Sequence, residues 1–428
     1  MRRLLPAVAA VAALTLTISA CGGGGESAGT APTVSDPSQI KGEVTWWDTT
    51  RPDSEGPTFQ ALIKEFQAQY PQIKVNYVNV PSDQAQNQFQ TAAQAGSGAP
   101  DVIRSEVAWT SQFASLGYLQ PLDGTRAVDR PDDFLPGPLS STKFNGKTYA
   151  VPQVTDTLAL IYNKRLLKEA GHDAPPATVA ELKQTALDVK AKTGAAGLAL
   201  NVDSYFLLPF IYGEGGDLLD VPNKKIVVNS PANAKAIQTV ADLISSGAAP
   251  KPATTDSYAN AMTALKEGKA AMIYNGPWAL SEIYQGKEFQ DKANLGIAPV
   301  PAGSVKAGAP TGGWNLAIYA GSKNIPAAYE FVRFMTTVQA QAKIAKEISL
   351  LPTRTSAYAD PAVQGNADVA VFKPIMDTAV PRPWIPEGGQ LFQPLLEGYQ
   401  ALVGGESTPT DMLKKVYEQY RGIMKDWS

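Results

Sequence analysis

One cysteine and one histidine in 428 residues remove most catalytic chemistry at the outset. The lone Cys21 forbids an intrachain disulfide, a thiolate cluster and a dithiol redox pair. The lone His172 leaves Ser-His or Cys-His catalysis to a single residue and removes any multi-histidine metal site. Excess charge of one sign is lacking as well. The 37 Lys+Arg against 40 Asp+Glu leave a formal −3, which gives no electrostatic footprint for nucleic acid. No G-x-x-x-x-G-K-[ST] or G-x-G-x-x-G segment offers a phosphate cradle, and no EF-hand loop offers a calcium site. Neither cofactor nor metal is expected. What remains, 44% apolar and 18% charged residues, is the composition of a globular protein, long enough for two or three domain-sized units.

The first residues carry a different signal. Met1-Arg2-Arg3 is a short cationic start, and Leu4 to Ala20 is an apolar run of 17 residues, the pattern of a secretory signal peptide over 1–20. Ile18-Ser19-Ala20-Cys21 resembles the bacterial lipobox, in which a small-residue cleavage site precedes a lipidated cysteine. An ordinary signal peptide with a chance cysteine is the alternative. Gly22 to Gly25 and a Ser/Thr/Pro stretch to Ser38 compose a flexible tether, so 21–40 is expected to be a lipidated leash. Acyl chains on Cys21 would hold the mature protein to the extracellular face of the cell membrane. Without Arg2 and Arg3, 35 positive side chains face 40 negative ones, a mature balance of −5. No later stretch is long and apolar enough to span a bilayer.

From Ile40 onward strand and helix patterns alternate. Glu43 to Asp48 is β-rich. Phe59, Leu62, Ile63, Phe66 and Tyr70 then mark one face of a helix that Pro71 stops. Ile73, Val75 and Tyr77 alternate as a strand, and Pro100 to Ile103 follows a Gln/Ala-rich helix as a third. Strands also fall at Leu158 to Tyr162, Ala271 to Tyr274, Leu295 to Val300 and Leu316 to Tyr319. Thr178 with Glu181 is a capping box, Ile237, Val240, Ala241 and Ile244 make another stripe, and a last helix opens near Thr410. The order predicts parallel strands in an open α/β sheet. About 390 residues exceed one core, so two α/β lobes are expected.

Ligands of open α/β sheets bind beyond the carboxyl ends of the strands, and the residues there share a chemistry. Trp46, Trp47, Asp48 and Arg51 follow the first strand; Glu106 and Trp109 follow the third. Asp156, Asp203, Tyr205, Tyr274, Gly276-Pro277-Trp278, Gly312-Gly313-Trp314-Asn315 and Arg382-Pro383-Trp384 complete the set. Aromatic faces mixed with carboxylates suit an uncharged polyol. The C–H face of a pyranose stacks on an indole, and its hydroxyls take charge-assisted hydrogen bonds. Each tryptophan could equally be lobe core, and each carboxylate a cap.

Thr45-Trp46-Trp47-Asp48, Pro100-Asp101-Val102, Gly146-Lys147-Thr148-Tyr149-Ala150-Val151-Pro152, Leu160-Ile161-Tyr162-Asn163-Lys164, Asn275-Gly276-Pro277-Trp278 and Gly312-Gly313-Trp314-Asn315 occur in that order behind the lipobox. Together they resemble the extracellular solute-binding proteins of ABC sugar importers in the maltose-binding protein family, nearest to the actinobacterial maltose/maltodextrin- and trehalose-binding lipoproteins. The resemblance covers essentially the whole chain after Cys21. It implies an α/β, two-lobe periplasmic-binding-protein-like fold with an interlobe ligand cleft and hinge crossings. Lobe 1 would be 41–153 plus 301–356, and lobe 2 would be 157–298 plus 360–428. Crossings would fall near Pro152 to Thr155, near Pro299 to Pro301, and within Pro352 to Pro361.

The resemblance further implies ligand contacts at Trp47, Asp48 and Arg51, at Asp156 in the first crossing, at the stacking aromatics Tyr205, Trp278 and Trp384, and at Glu106 and Trp109. Weaker matches are Gly313 and Trp314 in a Gly-Gly-Trp turn, with Arg354 and Arg382 as donors to sugar oxygens. The implied function is capture of an α-gluco-oligosaccharide such as maltose or maltodextrin, or of trehalose or another disaccharide, by a monomer that delivers it to a membrane permease. A secreted glycoside hydrolase is the reading from a different class, since Glu106 and Asp156 could supply two carboxylates. A peptide or anionic-polyol binder on the same scaffold is the third.

Overall fold

A computed structural model describes residues 39–49 and 51–428. The signal peptide, Cys21 and all but the last two residues of the expected tether lie outside these. Ile40, the last residue of that stretch, is buried in the first core and belongs to the folded protein.

Ten strands carry the architecture: β1 (Gly42–Asp48), β2 (Ile73–Asn79), β3 (Val102–Glu106), β4 (Ala150–Asp156), β5 (Ala159–Asn163), β6 (Ala196–Ala199), β7 (Ala270–Asn275), β8 (Leu295–Ala298), β9 (Gly312–Ile318) and β10 (Leu351–Pro352). Six form one sheet in the order β10-β4-β9-β3-β1-β2, and four form another in the order β8-β5-β7-β6. The expected parallel pairing holds for β1 with β2 and β3 and for β6 with β7. Elsewhere the sheets are antiparallel: β9 runs against β3 and β4, β10 against β4, and β5 against β7 and β8. For β9 and β10 the reason is topological. β9 and β10 re-enter the first sheet after the chain has visited the second, and the handed strand–helix–strand crossover governs only strands joined within one sheet.

Period-two alternation splits the paired tryptophans of β1. Val44, Trp46 and Asp48 face one side, and Trp47 faces the other. Trp46 is fully buried, edge-on to Phe59, Tyr77 and Phe331 at 5.3–5.7 Å, between the sheet and the helices Gly56–Gln69 and Ile325–Met335. It is core, where burial of one such ring contributes roughly 2–3 kcal/mol. On the opposite face Phe89 and Phe113 from helices Ser82–Ala95 and Trp109–Ser115 fill a smaller core. The second sheet is covered by helices Val179–Thr193, Ser204–Gly213 and Pro231–Ser245 and by the terminal pair Phe392–Gly404 and Pro409–Ile423. Thr178 and Glu181 form the reciprocal cap that opens the first of these.

The chain leaves the first sheet at Thr157-Leu158. The expected crossing at Pro152 to Thr155 lies inside β4. A bulge explains why proline is tolerated there. The pairing of β9 with β4 slips between Trp314 and Asn315, so that Val154 and Pro152 have partners and Gln153 is the extra residue. Proline in a sheet is confined to such places, and a bulge re-aims the side chain it frees. Gly312-Gly313-Trp314-Asn315, expected as a turn, is instead the start of β9.

Candidate functional site

The carboxyl ends of β1 and β3, the bulge of β4 and the start of helix Gly56–Gln69 bring four polar side chains under the first sheet's edge. Asp48, Glu55, Arg104 and Gln153 are all buried. The Arg104 guanidinium lies between the rings of Phe59 and Trp314, 5.0 and 4.9 Å away, and its Nε donates to Gln153 Oε1 at 2.9 Å. Its terminal nitrogens are 3.8 Å from Asp48 Oδ1 and 3.5 Å from Glu55 Oε2. The other Asp48 oxygen accepts from the Tyr77 hydroxyl at 2.7 Å. Burial pushes the Glu55 carboxyl up to about 7; Arg104 opposes this and Asp48 adds to it.

A second cluster forms where β4 ends. Asp156 Oδ1 accepts from the Tyr205 hydroxyl at 3.4 Å, and that hydroxyl also lies 3.1 Å from the Pro310 carbonyl. Arg382 is buried, donates from Nε to the Thr311 carbonyl at 2.9 Å and pairs through Nη2 with Glu106 Oε1. Its guanidinium lies over Tyr205, Trp384 and Phe392 at 5.4–5.5 Å. Burial raises the Asp156 carboxyl to about 7, with Arg382 and Arg104 pulling it down and Glu106 and Glu55 pushing it up. Because Glu55 and Arg104 are felt at Asp156, the two clusters form one electrostatic neighbourhood. Four carboxyls there meet two guanidiniums, and burial raises two of the carboxyls, Glu55 and Asp156, to about 7.

Two glycines make the room. A Cβ on Gly312 would sit 2.1 Å from Asp156 Oδ1 and 2.5 Å from the Tyr205 hydroxyl, and one on Gly276 would sit 1.9 Å from the Trp278 ring. The sequence Asn275-Gly276-Pro277-Trp278 therefore lays the indole back over its own backbone. Trp278 is half-buried and touches the cores of both sheets, with Tyr205 6.4 Å from it. Trp109 and Trp314 meet edge-to-face at 5.8 Å.

Elements of the two halves are tied directly across this region. Arg51 donates to Glu282 Oε2 at 2.9 Å and lies 4.3 Å over the Tyr258 ring. Trp384 Nε1 donates to Ser140 Oγ at 2.9 Å, and Ser111 Oγ donates to the Trp384 carbonyl at 3.1 Å.

Of the expected residues, then, Asp48, Glu106, Trp109, Asp156, Tyr205, Trp278, Gly313, Trp314, Arg382 and Trp384 converge, and Arg51 stands at the rim. Two do not join them. Trp47 turns to the other face of β1, packed against the smaller core of Phe89 and Phe113. Arg354 is wholly enclosed: it donates to the carbonyls of Thr336, Arg130 and Asp129, pairs with Asp133 at 3.3 Å and stacks on Phe134 at 4.0 Å. Its donors hold the first half together and face no cleft. Glu55, Arg104 and Gln153 were missed. Their signals were a helix-start carboxylate, a charge inside an apolar strand, and a glutamine behind a mid-strand proline.

Comparisons with known proteins place the chain in a family. The profile of the bacterial extracellular solute-binding protein family matches residues 52–342, and the chain belongs to that family. It shares the two-lobe fold of its solved relatives. The GacH receptor of Streptomyces glaucescens, crystallised unliganded and in complex with acarbose and an acarbose homolog, is 48% identical over 91% of this chain and all of its own, with a TM-score of 0.88. Maltose-bound MalE3 of T. maritima is 27% identical over 89% of this chain and 99% of its own, with a TM-score of 0.83. The maltotriose-binding protein of Pyrococcus abyssi is 27% identical over 82% of this chain and 75% of its own.

Proposed function

We propose that the chain is the substrate-capturing subunit of an ABC importer and takes an α-gluco-oligosaccharide, maltose or a short maltodextrin, between its lobes. The observation that carries this reading is the meeting of Trp278, Tyr205 and Arg382 from the second lobe with Glu106, Asp156, Trp314 and Arg104 from the first. Aromatic faces take the C–H side of a pyranose, while a set of carboxyls and guanidiniums that nearly neutralises itself takes hydroxyls rather than an ion. The names of the Thermotoga and Pyrococcus relatives support an α-1,4-glucan, and trehalose is the nearest competing ligand on the same scaffold. We assign 41–156 with about 312–356 to lobe 1 and 158–298 with 360–428 to lobe 2, moving the first crossing to Thr157-Leu158. A lipid on Cys21 tethers the protein outside the membrane beside its permease.

Hydrolysis is the weaker reading. A glycosidase sets two carboxyls across the scissile bond as acid and base, whereas Glu106 is ion-paired with Arg382 and Asp156 accepts from the Tyr205 hydroxyl. The test is a thermal-shift series over maltose, maltotriose, trehalose and glucose, followed by overnight incubation and product analysis. A ligand at a hundred times its Kd stabilises by about 2.7 kcal/mol. Stabilisation by an α-glucoside without glucose release is expected. Glucose release, or stabilisation by none of these sugars, sinks the proposal.

A further inference from the structure

Residues 381–390 leave the second lobe, as assigned above, seat on the first and return. One end is fixed at Val380, which pairs with Pro310. The other is fixed at Leu391, a core residue whose carbonyl accepts from the Tyr420 hydroxyl at 2.8 Å. Between them Pro381, Pro383 and Pro386 hold their φ angles fixed, which makes this segment a stiff strap. Trp384 lies in it, with the Arg382 guanidinium 5.5 Å from its ring. The first lobe grips that residue at two points: Nε1 donates to Ser140 Oγ at 2.9 Å, and the Ser111 hydroxyl donates to its carbonyl at 3.1 Å. The receiving surface is built without the strap. Asn315 of β9 donates to Thr110 Oγ1 at 3.2 Å and to Ser141 Oγ at 3.0 Å, and all three side chains are fully buried. It thereby clamps together the neighbours of Ser111 and Ser140, which belong to the separate helices Trp109–Ser115 and Pro136–Ser140. Ser140 Oγ gives its own proton to the Gly137 carbonyl at 2.6 Å and so meets the indole N–H as an acceptor.

We propose that Ser111 and Ser140 are positioning residues for Trp384: they seat a stacking platform carried by the second lobe on the first lobe, and they set how long sugar stays bound without touching it. This rests on the sugar-binding reading above and on the place of Trp384 in that site. Two hydrogen bonds to one residue, at the indole N–H and at the backbone carbonyl, fix the plane of the ring, so binding need not spend entropy on ordering it. Ser111 is fully buried and acts only through the strap. Both bonds join the two lobes, so they exist only when the lobes are shut and favour the shut form. Apparent affinity scales with the fraction of protein in the competent form, and losing contacts that hold a complex shut shows chiefly in the dissociation rate.

The experiment is calorimetric titration and stopped-flow release of maltotriose with the full mature chain, for the native protein, Ser111→Ala, Ser140→Ala, Ser140→Thr and Trp384→Phe. Melting temperatures without sugar identify a variant that fails to fold, and the other alanine variant then carries the test. Each alanine variant should lose roughly threefold or more in affinity, the loss expected for one hydrogen bond, through faster release with little change in association. Ser140→Thr keeps the hydroxyl and should restore the native values. Trp384→Phe has a ring but no N–H, so adding Ser140→Ala to it should cost nothing further. If maltotriose binds and the folded alanine variants match the native protein in affinity and release, the inference falls alone. It also falls alone if Ser140→Ala costs as much beside Trp384→Phe as in the native chain. If the native protein binds none of maltotriose, maltose and trehalose, the sugar-binding reading itself falls and takes this inference with it.

Discussion

Asp156→Asn should make the protein more stable at pH 8 than the native chain while leaving the two nearly equal at pH 4. Asp156 sits at the end of β4 with 6% of its surface exposed, and burial is the first cause of its rise from 3.8 to about 7. A carboxyl whose folded pKa exceeds its unfolded one holds its proton longer in the folded state. Its contribution is therefore complete below about pH 4 and is lost as pH rises toward 7. At about 1.4 kcal/mol for each tenfold in proton affinity, the loss is on the order of 4 kcal/mol. Asparagine has the same shape and no proton to lose, so the difference between the two proteins isolates this residue from every other titrating group. Urea unfolding of both at pH 4.5, 6, 7 and 8 gives that difference directly. Curves that stay parallel, or a variant that falls behind above pH 7, would mean that Arg382 keeps Asp156 ionised and that the burial argument is wrong.

Four further outcomes are expected. Glu55→Gln should show the same sign of pH dependence, since burial also lifts that carboxyl to about 7, and pairing it with Asp156→Asn should flatten the native stability profile further, read by the same unfolding series. Trp278→Ala should weaken maltotriose binding at least tenfold, about 1.4 kcal/mol. It should also lower the unliganded melting temperature, because the ring touches the cores of both sheets; an unchanged affinity by calorimetry would remove it from the site. Arg51→Ala should cost only a few-fold in affinity, as an ion pair this exposed is worth about 0–1 kcal/mol and a cation–π contact about 0.5–1, and the difference from native should shrink in 1 M salt. Arg354→Met should destabilise by roughly 3 kcal/mol in thermal unfolding without altering sugar affinity, which would be contradicted by a stable variant that has lost binding.

Much of the fold could be read from the chain because periodicity and capping act locally. The helix stripe Phe59, Leu62, Ile63 and Phe66, the Thr178–Glu181 box and the glycine beside Trp278 each need only neighbours in sequence. Strand direction was beyond that reach, since β9 and β10 owe their antiparallel pairing to where the chain had been in between. Within the site, residues at strand ends were legible by rule. Trp46 and Trp47 show the limit: adjacent strand residues must face opposite ways, so one of them had to leave the cleft side, and the core claimed the other. Arg104 looked like a stray charge in an apolar strand and Gln153 like filler after a proline. Where Gln153 points depends on a bulge that only pairing with β9 creates. Arg354 failed as a ligand for the opposite reason, because its nitrogens meet carbonyls more than two hundred residues away in sequence.

The central claim is that this chain captures an α-gluco-oligosaccharide between its lobes, and calorimetric titration with maltotriose tests it most directly. The account predicts saturable one-to-one binding with a negative heat-capacity change, the mark of apolar ring faces buried on indoles. No saturable heat with maltotriose across the millimolar range would contradict it.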